Sequence, residues 1–196
     1  MKQNKKIAVT GGIGSGKTLF CNILKNMGCE VFSCDEIYGE LLHEEGYLSL
    51  LRARFPDCFS GGKLDKSLLS KRVFSSREER SALESLAHPM IMERLLKKME
   101  GKELAFAEVP LLFEGGYEGL FDYVVALVRN REERVKAVMK RSGLTEKEIL
   151  SRMENQFDPA LLSYKNCLIV ENDGSEEELK EKAQKLLQIL RSEEIR

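Results

Sequence analysis

The sequence lacks an excess of charge of either sign. Its 31 Lys and Arg residues nearly balance its 32 Asp and Glu residues, which leaves a formal net charge of −1 over 196 residues. Proteins that bind nucleic acid or anionic membrane surfaces usually carry a strong basic excess on the binding face. The balance of charge therefore argues against nucleic acid and membranes as partners.

Long apolar segments and paired cysteines are also missing. The longest aliphatic run, Val124 to Val128, is far shorter than the roughly 20 residues that a membrane-spanning helix needs. The five cysteines are odd in number and include no C-x-x-C pair, so neither a disulfide framework nor a zinc site is expected. We therefore expect a cytoplasmic protein, and we take a monomer or weak homo-oligomer as its state.

Short apolar runs rich in Val, Ile or Phe indicate strands that are covered on both faces, as in a parallel sheet. Five such runs occur, at Ile7–Val9, Val31–Phe32, Leu104–Val109, Tyr123–Val128 and Leu168–Val170. Helical patterns lie between them, and the clearest begins with a Ser175-x-x-Glu178 capping box. This alternation predicts one α/β domain, residues 1–196, built on a five-stranded parallel sheet.

The spacing between the predicted strands is uneven. The gap between the second and third predicted strands is far longer than a minimal crossover. This length predicts an inserted helical subdomain at residues 36–102. Its helices are expected from Asp65, as N-cap, to Phe74 and along the two segments that flank His88-Pro89. Residues 129–165 are dense in Arg, Lys and Glu, which predicts a charged helical excursion over the carboxyl edge of the sheet.

A glycine-rich segment directly after the first predicted strand matches the phosphate-binding pattern G-x-x-x-x-G-K-[ST] in full. It reads Gly11-Gly12-Ile13-Gly14-Ser15-Gly16-Lys17-Thr18, and Leu19 opens an amphipathic segment behind it. In such a loop the backbone N–H groups and the helix N-terminus bind phosphates. We expect ATP at Gly12 to Leu19, with Lys17 on the β- and γ-phosphate oxygens and Thr18 binding Mg²⁺. A glycine-rich turn that binds nothing is the alternative.

Residues downstream distinguish between the classes of P-loop protein. The chain has no Asn-Lys-x-Asp element for guanine, and its third predicted strand ends in a proline-broken turn rather than in the paired acids of motor ATPases. A small-molecule kinase remains, and it needs an acid that orients or deprotonates the acceptor hydroxyl. Asp35, after the second run, is placed for this role. Alternatively, Asp35 is the N-cap of a helix that begins at Glu36.

Several motifs together resemble the dephospho-coenzyme A kinase family. They are Gly11 to Thr18, Cys34-Asp35, Leu64-Asp65-Lys66-x-x-Leu69-x-x-x-Val73-Phe74, His88-Pro89-Met90-Ile91, Val109-Pro110-Leu111-Leu112-Phe113-Glu114, Arg152-x-x-x-Gln156 and Asn172-Asp173-Gly174. The resemblance implies ATP-dependent phosphorylation of the ribose 3′-hydroxyl of dephospho-coenzyme A, which completes coenzyme A. It also implies that residues 36–102 form a helical substrate domain and residues 129–165 a lid.

The same resemblance assigns roles to single residues. Asp35 falls at the acidic position beside the acceptor and Arg141 falls in the lid, so both are expected to act in catalysis with Lys17. Asn172 is expected at the nucleotide. The expected substrate-binding residues are Asp35, Lys66, His88, Pro110, Leu111 and Glu114.

Some of these residues also have purely structural interpretations, and five positions depart from the family pattern. Pro89 would start a helix, Glu114 would be a solvated loop acid, and Arg141 would lie on a wet helix face. At Ala137 the lid lacks a usual arginine, and Arg134, three positions earlier, is the expected substitute. The competing functions are another small-molecule P-loop kinase and a nucleotide-dependent regulatory protein with a decayed lid. The departures from the family pattern are Ser33, Gly39, Lys66, Ala137 and Cys167.

Overall fold

The computed structural model describes residues 4–154, 156 and 166–192. Within these parts of the chain, every helix is too short or too polar to span a membrane. In chain order the elements are β1 (Lys5–Thr10), α1 (Lys17–Asn26), β2 (Glu30–Ser33), α2 (Cys34–Leu41), α3 (Glu45–Arg54), β3 (Phe59–Ser60), β4 (Lys63–Leu64), α4 (Lys66–Ser75), α5 (Arg77–Met99), β5 (Leu104–Glu108), β6 (Tyr123–Val128), α6 (Arg131–Ser142), α7 (Glu146–Glu154), β7 (Cys167–Glu171) and α8 (Glu176–Arg191).

Five strands form one sheet in the order β2-β5-β1-β6-β7. The pairs β1–β5, β1–β6 and β6–β7 are parallel, and Val9 lies opposite Glu108 on one side and Val125 on the other. All five strands lie within two residues of the apolar runs that predicted them. The predicted α/β fold with a five-stranded parallel sheet is therefore confirmed.

The chain divides into two compact units. The first unit comprises the residues up to Phe32 and from Gly101 onward, and the second comprises Ser33–Glu100. The predicted boundaries of a substrate-binding insertion at 36–102 and a lid at 129–165 remain predictions. The second of these ranges contains α6 and α7, and its residues 155 and 157–165 lie outside the described residues.

The main core of the first unit lies between the sheet and helices α1 and α8. Phe20 and Leu24 of α1, and Leu179 and Leu186 of α8, are buried together with Ile7 of β1. Full burial of a side chain of this size contributes about 1.5–3 kcal/mol. This packing fixes the start of α1, and hence the loop before it, against the end of β1.

Side chains cap several helices at the predicted places. The Ser175 hydroxyl accepts from the Glu178 N–H while the Glu178 carboxylate accepts from the Ser175 N–H, so the predicted capping box of α8 is confirmed. The Asp65 carboxylate accepts from the Leu68 N–H at 2.9 Å and is the N-cap of α4, as predicted. Each cap satisfies an N–H group that the helix itself leaves without a partner.

The start of α2 differs from the expectation. Its N-cap is Ser33, whose hydroxyl accepts from the Glu36 N–H at 3.4 Å. Asp35 lies in the first turn of the helix, so the alternative that made Asp35 the N-cap is wrong. A carboxylate in the first turn interacts favourably with the positive end of the helix dipole, and Asp35 remains exposed there.

The second unit is mainly helical, and α5 is its longest element. The buried face of α5 carries Ala87, Ile91, Met92, Leu95 and Met99. Charged residues also join α5 to α2 and to Glu44, the N-cap residue of α3. The Lys98 ammonium donates to the Glu40 carboxylate at 2.6 Å, and Arg94 donates two hydrogen bonds to the Glu44 carboxylate.

Pro89 lies inside α5, which runs without a break from Arg77 to Met99. Two separate helices flanking His88-Pro89 were expected, with Pro89 starting the second as the alternative, and both expectations are wrong. A proline in a helix interior removes one hydrogen bond and costs about 3 kcal/mol or more. The apolar face that continues from Ala87 to Ile91 offsets this cost, since tertiary packing supplies most of the stability of a protein helix.

Candidate active site

The candidate site lies where the central strands of the first unit end. β1 ends at Thr10 and leads into the glycine-rich loop, β5 ends at Glu108 before Pro110, and β7 ends at Glu171 before Asn172. Because β5 pairs in parallel with β1 and β7 joins β1 through the parallel strand β6, the carboxyl ends of all three lie at one edge of the sheet. Ligands of open α/β sheets bind at this edge.

The loop reaches α1 through Gly16, which is the N-cap residue of the helix and has φ 94° and ψ 18°. This left-handed conformation is unfavourable for a residue with a Cβ atom, and a Cβ here would collide with the Asn172 amide. Within the described parts of the chain, no side chain caps α1. The N–H groups of its first turn are therefore available to an anion, which the helix dipole also favours.

Lys17 is held against its own loop. Its ammonium group donates to the Gly11 carbonyl at 2.7 Å and to the Gly12 carbonyl at 3.1 Å. Burial lowers the pKa of Lys17 from its usual value; the Glu108 carboxylate raises this pKa, whereas Arg134 and Arg141 lower it further. Three cationic side chains and one carboxylate thus act on each other at the loop.

Asn172 supports the loop from the end of β7, the edge strand that lies beyond β6 from β1. Its backbone N–H donates to the Val128 carbonyl at 2.9 Å, and its side-chain amide donates to the Ser15 carbonyl at 2.8 Å. The residue is buried, so this amide hydrogen bond is shielded from water. The sequence predicts that Asn172 contacts the nucleotide. In the structure the Asn172 side chain binds the backbone of the predicted nucleotide-binding loop.

Glu108 is a candidate residue that the sequence analysis missed. The Thr18 hydroxyl donates to the Glu108 carboxylate at 2.7 Å. Glu114 lies in the turn after β5, whereas Glu108 is the acid at the end of the strand itself. The pairing of β5 with β1 brings the end of β5 next to the loop that follows β1. Glu108 could have been identified only with knowledge of this pairing.

The oxygen atoms of Thr18 and Glu108 suit a magnesium ion. Mg²⁺ prefers hard oxygen ligands and is usually held by one or two carboxylates together with substrate phosphates and water. Among the described residues, no group of three or more His, Cys, Asp or Glu side chains could hold a metal. One carboxylate beside one hydroxyl therefore fits an ion that arrives with a nucleotide better than a resident metal centre.

The α6 helix brings two arginines to the loop. The Arg134 guanidinium donates through Nε to the Ile13 carbonyl at 2.8 Å. Arg141 is exposed in the last turn of the helix and is one of the groups that lower the pKa of Lys17. The role of Arg141 at the phosphates and the alternative of a solvated helix face both remain predictions.

The predicted substrate-binding residues lie in both units. Pro110 and Leu111 are half-buried directly after β5, and Glu114 is exposed further along that turn. In the second unit, Lys66 is the exposed first residue of α4, and His88 is half-buried within α5. Burial lowers the pKa of His88, against a smaller opposite effect of Glu84, so a neutral imidazole is favoured at pH 7. The substrate roles of these residues and of Asp35 remain predictions.

Comparisons with known proteins agree on one family. A family model described as dephospho-CoA kinase matches residues 6–178. A dephospho-CoA kinase from Thermus thermophilus is 36% identical over 175 residues, which cover 88% of this chain and 85% of that protein. One from Chlorobaculum tepidum is 33% identical over 196 residues, with 94% of each chain covered.

Solved structures are also similar to this chain. The crystal structure of TT1252 from Thermus thermophilus is similar with a TM-score of 0.81 and 34% identity, and the match covers 97% of this chain and 100% of that one. A dephospho-CoA kinase from Campylobacter jejuni has a TM-score of 0.67 at 29% identity, with 93% of this chain and 95% of that one covered.

Replacement of Lys17 by alanine tests the loop directly. We expect Lys17→Ala to abolish turnover and leave the melting temperature nearly unchanged, because the ammonium acts where charge builds on the β- and γ-phosphate oxygens and its hydrogen bonds here go to carbonyls of its own loop. Turnover and thermal melting are measured side by side, with Lys25→Ala, exposed on α1, as the control. A variant with normal melting and near-normal turnover would contradict the assignment.

Proposed function

Because the chain belongs to the dephospho-CoA kinase family, we propose that it transfers the γ-phosphoryl group of ATP to the ribose 3′-hydroxyl of dephospho-coenzyme A, the last step of coenzyme A biosynthesis. The observation that carries the proposal is a glycine-rich loop before a helix start without a side-chain cap, with the cationic groups of Lys17 and Arg134 hydrogen-bonded to the loop carbonyls. A triphosphate is the kind of anion that such a loop binds.

The reaction is an in-line displacement at phosphorus. The acceptor hydroxyl oxygen forms a bond to the γ-phosphorus while the bond from that phosphorus to the bridging oxygen breaks, so ADP leaves. The hydroxyl proton goes to a base, and we assign this role to Asp35. Its exposed carboxylate in the first turn of α2 is accessible to a substrate and has the oxygen acceptor that the step needs.

Cationic groups stabilise the charge that spreads over the transferred phosphoryl group. Lys17 is assigned to the β- and γ-phosphate oxygens, for which it would exchange its hydrogen bonds to the Gly11 and Gly12 carbonyls. Arg141 is assigned to the transferring group from the end of α6. Both assignments are supported by the electrostatic influence of Arg141 on Lys17.

Thr18 and Glu108 are proposed to hold Mg²⁺, since their oxygens lie 2.7 Å apart beside the loop. The ion, when bound with the nucleotide, supplies positive charge at the β- and γ-phosphate oxygens. The Glu108 carboxylate also raises the pKa of Lys17 and so favours the charged form of this lysine. We further propose that the protein works in the cytoplasm, where its five free cysteines stay reduced.

Another small-molecule kinase is the second candidate function. A shikimate kinase from Acinetobacter baumannii has a TM-score of 0.58 at 15% identity, which reflects the shared fold and says nothing about the acceptor. The same loop and cations would serve any acceptor alcohol, since they act on the nucleotide. The acceptor must therefore be tested by turnover.

A panel of acceptors tests the proposed substrate. We expect ADP release with dephospho-coenzyme A to exceed clearly the release with AMP, CMP, shikimate or water alone. Coupled ADP-release assays with ATP and Mg²⁺ measure this, and Lys17→Ala supplies the blank. Faster turnover of another acceptor would overturn the substrate assignment and leave the assignment of the loop intact, whereas ATP binding without turnover of any acceptor would favour a regulatory protein.

Replacement of Arg141 separates catalysis from binding. We expect Arg141→Ala to lower kcat by up to about 10³-fold, the low end of the range for catalytic arginines, since Lys17 carries part of the charge. The ATP affinity should change much less. Steady-state kinetics and ATP titration are compared with Lys140→Ala, an exposed neighbour on α6. Loss of ATP affinity with unchanged kcat would mean that Arg141 binds the ground state and the transition state equally, and it would contradict the catalytic assignment.

Replacement of Glu108 tests the proposed magnesium ligand. We expect Glu108→Gln to raise the Mg²⁺ concentration for half-maximal turnover by about 10-fold or more. The alkaline limb of the pH profile should also move to lower pH, because the variant loses the largest influence that raises the pKa of Lys17. Glu103→Gln, just before the opposite end of β5, is the control. An unchanged Mg²⁺ requirement would contradict the assignment.

A further inference from the structure

Ile13 attaches the glycine-rich loop to the helices behind it at three points. Its side chain packs against a small hydrophobic cluster formed by Val135, Val138 and Ile149. Its N–H donates to the Gln156 side-chain oxygen at 2.7 Å. Its carbonyl accepts from Arg134 Nε at 2.8 Å. Both polar backbone atoms and the side chain of one loop residue are thus bound by residues far away in sequence.

This small cluster is distinct from the main core of the first unit. Its members on α6 and α7 are joined by Leu144, Leu150 and Met153, and Ile13 is the residue that the loop contributes. The α6–α7 pair therefore has an apolar attachment of its own to the loop. Because close-packed contacts do not deform continuously, such an attachment transmits a shift of one partner to the other.

The next loop residue fits equally closely. Gly14 has φ 78°, and a Cβ atom there would lie 2.7 Å from the Arg134 carbonyl oxygen and 2.9 Å from Val138 Cγ2. Since these distances leave no room for a methyl group, the backbone of the loop rests directly on α6. The loop can change shape only if α6 follows or the contact opens.

We propose that Ile13 is a positioning residue that couples the α6–α7 pair to nucleotide bound in the loop. The proposal rests on the proposed function, which assigns ATP to this loop. Arg141 lies three residues after Val138 and therefore on the same side of α6. By fixing α6 through Val138, Ile13 sets where Arg141 stands relative to the loop. Coupling of this kind is reciprocal, so the docked helices also favour the binding-competent loop.

Hydrogen exchange with and without ATP and Mg²⁺ tests the coupling. In the unaltered protein we expect ATP to protect both the loop, residues 11–18, and the α6–α7 pair. In Ile13→Ala we expect the loop to be protected still, whereas protection of α6–α7 is lost. Turnover should fall by about tenfold to a hundredfold, as expected when a catalytic group is misplaced by about 1 Å, while ATP affinity changes by less.

Three further variants make the result specific. Ile13→Val keeps most of the packing and should restore both protection and turnover. Gln156→Ala removes the partner of the Ile13 N–H and leaves the hydrophobic cluster unchanged, so we expect it to weaken the coupling. This variant tests the coupling independently if Ile13→Ala folds poorly. Lys136→Ala, whose ammonium pairs with Glu133 on the outer face of α6, should behave like the unaltered protein.

The outcomes separate the two claims. Protection of α6–α7 that is equal in Ile13→Ala, Gln156→Ala and the unaltered protein, together with unchanged turnover, would overturn the coupling and leave the proposed function standing. If ATP fails to protect the loop of the unaltered protein, the proposed function is overturned and the coupling falls with it. Loss of protection in both variants, with recovery in Ile13→Val, would support the proposal.

Discussion

The conformation of the glycine-rich loop depends on hydrogen bonds from side chains that are distant in sequence. Arg134 binds the Ile13 carbonyl, Gln156 binds the Ile13 N–H, and the Asn172 amide binds the Ser15 carbonyl. Buried backbone groups need such partners, and each one left unpaired costs about 1–3 kcal/mol. The loop therefore takes its shape from three separate segments of the chain as well as from its glycines.

Electrostatics give the site its preference for an anion. Burial lowers the pKa of Lys17, and the positive charges of Arg134 and Arg141 lower it further. A cluster of like charges is unfavourable by itself and becomes favourable when a polyanion neutralises it. Glu108 offsets part of the repulsion while its carboxylate also accepts from Thr18. The same arrangement thus remains stable without a nucleotide and favours binding of one.

Local patterns predicted the parts of the fold that local forces decide. The strands and the caps at Asp65 and Ser175 each have a sequence signature, and the structure confirms them. The glycine-rich loop joins a strand to a helix, as its pattern predicted. Continuous helix through Pro89 had no such signature, because packing along α5 overrides the local preference of proline. Glu108 was missed, and Gln156 was named only as part of a family motif with no role of its own, for a related reason. The importance of both residues depends on which segments meet in space, and local periodicity predicts neither the strand order nor the docking of α6 on the loop.

The face of α6 that meets the loop also explains how the departure at Ala137 is tolerated by the architecture. Arg134, Val138 and Arg141 lie three to four residues apart, so they share one side of the helix over about two turns. Ala137 belongs to the same side, and Gly14 approaches its neighbours Arg134 and Val138 closely. This side keeps two arginines, one bound to the loop backbone and one in the last turn. Docking of a single apolar residue, Ile13, orients both.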